Sequence, residues 1–405
     1  MSRRTILIVG ASLAAVTVAE SLRSQGSNDR IVMLGDEVHL PYDRPPLSKN
    51  QLVSAQASAE DLAFHPREWY SENGIELHLG DAAVHLELEQ SRVLTESGAI
   101  HAFDELVIAT GSSPRKLDGF TPGPSVHYLR SVDDGESLRR TLGTPGHLVI
   151  IGAGFIGLEV AGTALSSGWT VTLVERDNAP LSRVLPAALA QRCWEPYEAA
   201  GATLLCEATP QSARSHDSAQ ELLLSDGTVV PFDGLLVSAG GIPNSDWLGD
   251  AFPGHATGIP CDAFGRTDVA NVWSLGDVAA WSHGRSGARA RVEQWQAAVD
   301  QGVVLARALL GETSVGWQEH PYFWSDMLHG RIQFVGRMSP SMDLHVHEIG
   351  NGKSVGLLSR DGLLMGVFAE KYPRAMAKGR LLLDADASVE DGLAWLSEIK
   401  PQIQL

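Results

Sequence analysis

A chain of 405 residues exceeds one ordinary core, and 44% hydrophobic with 20% charged residues is the composition of a globular protein of two or three domains. A net charge of −18 argues against nucleic acid as the main partner, since phosphate binding needs a basic footprint. No apolar run reaches the ~18 residues of a membrane span. The three cysteines, Cys193, Cys206 and Cys261, form no C-x-x-C and predict neither a disulfide framework nor a metal site. Arg3-Arg4 is followed by no export-type cleavage site, so a cytoplasmic location is expected.

Taken in chain order, the first element is a strand, Ile6-Leu7-Ile8-Val9, that runs into Gly10-Ala11-Ser12-Leu13-Ala14-Ala15 and a helical pattern. A dinucleotide turn wants glycine at its first two key positions and Gly or Ala at the third. Here the second is Ser12 and the third Ala15. Its Cβ crowds the pyrophosphate, while its hydroxyl could donate to it. The next strand, Ile31 to Leu34, leads to Asp36, 26 residues after Gly10 and in place to bind a ribose. Leu106 to Arg115 reads as a strand, then Ala109-Thr110-Gly111, then a turn.

A second strand–turn–helix–strand unit occupies Gly146 to Asp177 and carries every part of the fingerprint. Gly152 allows the tight turn, Gly154 lets the backbone approach a pyrophosphate, and Gly157 brings helix and strand together. The helix N-terminus offers free N–H groups to phosphate. Glu175, at the end of the next strand, suits a ribose 2′-hydroxyl and repels a 2′-phosphate, which favours NADH; Arg176 beside it weakens that preference. Two such units predict two dinucleotides, FAD at the first and a nicotinamide dinucleotide at the second. Leu235 to Leu248 reads as the return to the first domain. Val272 to Trp281 ends a strand at Gly276-Asp277, where Asp277 is a helix N-cap, a ligand of the flavin ribityl chain, or both.

With Leu40-Pro-Tyr-Asp-Arg-Pro-Pro-Leu-Ser-Lys49 and Pro321-Tyr-Phe-Trp-Ser-Asp-Met327 added, the chain resembles the FAD-containing ferredoxin reductases of multicomponent oxygenase systems over essentially its full length. The resemblance implies an α/β glutathione-reductase-like fold with two dinucleotide-binding domains and a C-terminal α+β domain. The boundaries expected are 1–110 with 237–312 for FAD, 111–236 for NAD, and 313–405. It also implies electron flow from NADH through FAD to a [2Fe–2S] ferredoxin that feeds a Rieske dioxygenase or a cytochrome P450. Rubredoxin reductase is an alternative, and an NADH-responsive binding protein like apoptosis-inducing factor a more remote one. By the same resemblance Gly10, Ala14 and Asp36 match the adenosine and pyrophosphate part of FAD, and Ser12 and Ala15 of the same turn join them as cofactor-binding candidates. Arg44, Lys49, Ala109, Arg115, Asp277 and Trp295 match positions nearer the flavin. Gly152, Gly154, Gly157, Glu159 and Glu175 match the NAD site. Ser12 departs from the family's glycine.

No cysteine lies between Met1 and Arg192, so no thiol relay is available beside the Pro45–Lys49 loop. Lys49 is expected near the flavin, paired with Glu159, and holding the loop where nicotinamide stacks; the alternative is a surface salt bridge of little value. These two are the catalytic candidates.

Beyond about Glu312 the chain reads as strands (Arg331 to Gly336, Asp343 to Gly350, Ser354 to Glu370) and then helices over Tyr372 to Leu382 and Ser388 to Ile399. His345 and His347 alternate along one strand without an accompanying ligand cluster, and no metal is expected. An acidic ferredoxin needs a local basic patch or salt-insensitive contacts on this acidic protein. Arg285, Arg289 and Arg291, with Arg331, Arg337 and Trp324, are the candidate ring, a solvated face being the other reading of the arginines. A monomer or weak homodimer is expected.

Overall fold

The computed structural model describes residues 3–54, 58–216, 219–252, 255–283, 288–317 and 320–400. The chain divides into two compact units: residues 1–44, 56–113 and 241–319 form one, and residues 45–55, 114–240 and 320–405 the other.

In the first unit a five-stranded parallel sheet runs in the order Val272–Ser274, Glu105–Ile108, Thr5–Val9, Arg30–Gly35, Ile75–Leu79. The central strand reads Thr-Ile-Leu-Ile-Val, apolar on both faces as a covered parallel strand requires. Ile6, Leu7 and Ile8 are fully buried, beneath the helix Leu13–Ser24 and the helix Trp295–Leu309. Gly10 donates its N–H to Leu34 O at 2.8 Å, which closes the turn onto the second strand. Chain order reverses between Thr5–Val9 and Glu105–Ile108, the switch point where ligands of such sheets bind.

The second unit repeats the plan. Its parallel sheet runs Thr203–Leu205, Thr170–Val174, His147–Ile151, Gly234–Val237, Val126–His127. The helix Phe155–Ser166 follows the central strand, and Gly152 donates its N–H to Val174 O at 2.8 Å. The same unit contains a five-stranded antiparallel sheet in the order Tyr322–Met327, Gly330–Gly336, Leu363–Glu370, Lys353–Arg360, Asp343–Gly350. Two helices, Arg374–Asp384 and Val389–Glu398, complete it, two residues later and one residue inside the spans read from sequence. Ile332, Phe334 and Phe368 of that sheet share a core with Ile150 and Leu173 of the parallel sheet and with Leu158 of the helix Phe155–Ser166, which fastens the two sheets together. Ser388 caps the last helix reciprocally with Asp391.

Candidate dinucleotide sites

The second unit's turn separates three reasons for glycine. Gly152 has φ +100, and a Cβ there would lie 2.2 Å from Ser238 O. At Gly157 a Cβ would lie 2.2 Å from Gly152 O. Both are demanded by the fold. Gly154 is different: its φ is −81, which any residue adopts, and a Cβ would meet nothing within 4 Å. The protein itself does not require glycine there, whereas a group lying against the N-terminus of Phe155–Ser166 would. Glu175 is buried and accepts N–H bonds from Ala153 at 2.8 Å and Asp177 at 3.0 Å, one on each oxygen. Each oxygen keeps a lone pair for a ribose hydroxyl. Arg176 is largely exposed and lies 4.0 Å from Asp177, which Arg183 also engages.

The first unit solves the turn in another way. Gly10 has φ +111 and packs so closely on Ala109 that a Cβ would meet its carbonyl at 2.2 Å. Ser12 takes the N-cap position without capping; instead its Oγ accepts a long 3.4 Å bond from Arg44 Nε. Arg44 donates to Glu37 at 2.6 Å and to the Tyr42 hydroxyl at 3.2 Å, and its guanidinium lies over the Tyr42 ring. Burial opposes the charge on Arg44, but Tyr42 and Glu37 outweigh it and keep the guanidinium firmly protonated. Neither Tyr42 nor Glu37 stands out in the sequence; an acid and a tyrosine flanking the loop is a signal visible only with the fold in hand. Ala15 is fully buried in the place that Gly157 holds in the second turn.

Asp36 lies one residue beyond the position that Glu175 occupies in the second unit. Gly35 follows Leu34 as Glu175 follows Val174, and a Cβ on Gly35 would press to 2.7 Å of Ala11. Asp36 is exposed, its Oδ1 accepting the Glu37 N–H at 3.0 Å. The structure brings Ala14 beside the Asp277 turn, 3.3 Å from where a Gly276 Cβ would be. Asp277 accepts from Ser112 Oγ at 3.2 Å. Trp295 opens its helix and donates Nε1 to Asp43 at 2.7 Å, next to Arg44. Gln301, overlooked in the sequence, is 1% exposed and accepts the Gly276 N–H at 2.8 Å, while its Nε2 has no protein partner. A buried donor left over beside the Asp277 turn fits a polar cofactor. Arg115 belongs to the second unit, its N–H donated to Gly240 O at 2.8 Å.

Lys49 and Glu159 form the expected pair at 2.9 Å, and burial removes the surface-bridge alternative: the side chains are 17% and 7% exposed. Lys49 Nζ also donates to Pro45 O at 2.9 Å and Ser48 Oγ at 3.3 Å. Glu159 receives Ser48 Oγ, Ser325 Oγ at 2.6 Å and the Asp326 N–H at 3.3 Å.

The expected arginine ring is compensated by acids. Arg289 lies 3.8 Å from Asp268, Arg291 3.3 Å from Glu293, and Arg331 2.7 Å from Asp326. In an acidic chain the neighbours of an arginine are readily carboxylates: Glu293 and Asp326 are near in sequence, and only Asp268 is brought in from a distance. Arg285 lies outside the described residues, and Arg337 and Trp324 are half-buried. Burial pushes the Cys193 thiol up to about 12, raises Cys261 too, and lifts Cys206, so none has thiolate character. His347 faces the Ile399 carbonyl at 2.9 Å. Among the described residues no helix is long and apolar enough to cross a membrane.

The chain is similar to known proteins along its length. Residues 4–302 match the family model for pyridine nucleotide-disulphide oxidoreductases. The ferredoxin–NAD(+) reductase component of the p-cumate 2,3-dioxygenase system of Pseudomonas putida is 34% identical, over 95% of this chain and 94% of that protein. The crystal structure of the ferredoxin reductase for the CYP199A2 system from Rhodopseudomonas palustris is 33% identical with a TM-score of 0.89, covering 95% of this chain and 96% of that one. Putidaredoxin reductase, solved as a covalent complex with putidaredoxin, is 27% identical with a TM-score of 0.88, over 95% and 94%. Two Rossmann-type turns, an antiparallel C-terminal sheet and these matches agree: the chain belongs to the pyridine nucleotide-disulphide oxidoreductase family, oxidoreductases that use FAD and a nicotinamide dinucleotide.

Proposed function

We propose that this chain is an NADH-dependent ferredoxin reductase that feeds single electrons to a [2Fe–2S] ferredoxin of an oxygenase system. The observation that carries the reading is the coexistence of two dinucleotide turns with the lack of any usable thiol. There is no cysteine before residue 193, and the three present are separate and held as thiols. Electrons that enter therefore leave to an outside acceptor and not to an internal disulfide. The named relatives, ferredoxin reductases of dioxygenase and CYP systems, support that destination.

FAD bound to these residues would supply the chemistry, accepting hydride from NADH and allowing one-electron transfer onward. The protein supplies position and charge. In the first unit Gly10, Ser12, Ala14 and Ala15 cradle the pyrophosphate at a helix N-terminus, Asp36 takes the adenosine ribose, and Asp277 holds the ribityl chain. Arg44, Ala109 and Trp295 of this unit would lie nearer the flavin, and Arg115, a residue of the second unit, is the remaining cofactor candidate. In the second, Gly152, Gly154 and Gly157 receive the NADH pyrophosphate, and Glu175 its ribose. Lys49 sets a fixed positive charge beside the flavin, since its three N–H bonds are already committed to Pro45, Ser48 and Glu159. Arg289 is the arginine best able to greet an acidic ferredoxin: its partner Asp268 is 87% exposed, and so loose a pair exchanges readily. Arg291 is held more tightly, also donating to the Asp277 carbonyl at 2.9 Å.

Anaerobic NADH should bleach the flavin bands of the purified holoprotein rapidly, NADPH slowly, and added [2Fe–2S] ferredoxin should then be reduced in turnover. A flavoprotein that NADH reduces but that passes nothing to any ferredoxin would overturn the proposal.

A further inference from the structure

We infer that Ser325 is a positioning residue for the Lys49–Glu159 pair, so that the C-terminal strand Tyr322–Met327 helps set the ammonium group at the flavin. The Glu159 carboxylate has room for about four donors, and it has four. Their arrangement is divided by oxygen: Oε2 takes Lys49 Nζ and Ser48 Oγ from the Pro45–Lys49 loop, and Oε1 takes Ser325 Oγ and the Asp326 N–H from the strand. The carboxylate is thus a plate pinned along both edges, one by the loop and one by the strand. Ser325 is fully buried, and at 2.6 Å its bond is much the stronger of the two on Oε1, the amide standing at 3.3 Å. Strand alternation explains how it gets there. Phe323 and Ser325 share the face toward the helix Phe155–Ser166, where Phe323 packs on Phe155 with ring centroids 4.6 Å apart. Tyr322 and Trp324 share the opposite face and stack at 5.9 Å. Removal of the serine hydroxyl leaves Oε1 with one weak bond, frees the carboxylate to turn, and lets Lys49 follow. Because Lys49 has its role at the flavin only under the function proposed above, Ser325 is argued to act through it and touches no reacting atom.

The test uses the holoprotein and four variants: Ser325→Ala, Ser325→Cys, Ser325→Thr and Lys49→Met. Anaerobic stopped flow against NADH concentration yields the limiting rate of flavin reduction and the NADH Kd separately. Dye equilibration yields the flavin midpoint potential, and thermal melting reports folding. Ser325→Ala should lower the limiting rate about tenfold, the weight of one hydrogen bond to a charged group. Its NADH Kd should stay within about twofold, because pyrophosphate and ribose contacts are untouched. Its potential should move in the direction seen for Lys49→Met, and Ser325→Thr should restore both. Ser325→Cys, similar in size but a weak donor, should behave as Ser325→Ala does and serves if the alanine variant folds poorly. Wild-type rate and potential in the alanine and cysteine variants, with Lys49→Met impaired, would overturn the role of Ser325 alone. Wild-type behaviour of Lys49→Met would instead remove the reading of Lys49 and the role of Ser325 with it.

Discussion

Replacing Gly154 by alanine separates a ligand's demands from the fold's. The new methyl finds open space, with no atom within 4 Å, and the backbone at φ −81 already suits alanine. Alanine is a poorer N-cap than glycine, but it lowers the entropy of the unfolded chain, and the two effects of about 0.5–1 kcal/mol nearly cancel. Gly152→Ala is the contrasting control. It needs a left-handed alanine, costing roughly 1–2 kcal/mol, and a carbonyl 2.2 Å from the new Cβ must also move. If NADH phosphate lies against Gly154, the methyl displaces it from at least one N–H. A hydrogen bond to a charged group is worth about 1.5–3 kcal/mol, so the NADH Kd should weaken roughly 10- to 150-fold. The assay is thermal melting of the FAD-loaded protein beside NADH titration of each variant. Gly154→Ala should melt within about 3 °C of wild type and lose NADH, and Gly152→Ala should melt lower. Wild-type NADH affinity in Gly154→Ala would refute the placement of the pyrophosphate.

Three further outcomes follow from the same geometry. Glu175→Ala should lower the ratio of NADPH to NADH dissociation constants at least about tenfold and also reduce the melting temperature, since the buried Ala153 N–H loses its acceptor at about 1–3 kcal/mol; dissociation constants measured with both nucleotides and a melt check it. Ser12→Gly should leave FAD affinity within about threefold in apoprotein reconstitution, since the Ser12 hydroxyl is turned to Arg44 and N-cap serine to glycine costs only a few tenths of a kcal/mol; a tenfold change would show that the serine meets the cofactor. Arg192→Ala should cost about 3 kcal/mol in denaturant unfolding, because Glu370, 3% exposed, loses a 2.6 Å partner. Burial alone would raise the Glu370 carboxyl, but His329, Ser354 and Arg192 outweigh it and hold it low. A depressed carboxyl contributes stability above its unfolded value that is lost on acidification, so the wild type should weaken as pH falls below about 4.5, and Arg192→Ala less steeply.

The parallel sheets were legible because their central strands are continuous apolar runs that stop at a glycine turn. Glycine spacing, a local property, likewise marks Gly152, Gly154 and Gly157. What the sequence concealed is assembled at long range. Ser325 reaches Glu159 across 166 positions and Gln301 reaches Gly276 across 25, and neither serine nor glutamine carries a periodic signature. The arginines were legible only in part for the same reason: the clustering of Arg289 and Arg291 and the nearby Glu293 are local, but Asp268, which answers Arg289, lies 21 positions away.

The two turns, laid over one another, show how an imperfect fingerprint keeps the backbone of the complete one. Gly10 and Gly152 are each required by a carbonyl 2.2 Å from a Cβ, Ala109 O in one and Ser238 O in the other. That requirement comes from the switch point itself, and it cannot be relaxed while the strands stay paired. The third position differs between the units: at Gly157 a methyl would lie 2.2 Å from Gly152 O, yet the first unit buries Ala15 in the equivalent place. The middle position answers to the ligand and to the side chains around it. Gly154 leaves it open. Ser12 fills it with a short group that the Arg44 guanidinium draws toward itself, and Arg44 is in turn anchored by Glu37 and Tyr42. The serine and the arginine are therefore linked side chain to side chain, and a loop cation that holds the hydroxyl aside would offset the missing glycine. Arg44→Ala should then damage FAD retention in the Ser12 background more than in Ser12→Gly, a coupling that a double-mutant cycle reads directly. Additivity of the two changes would mean that Arg44 serves the flavin alone.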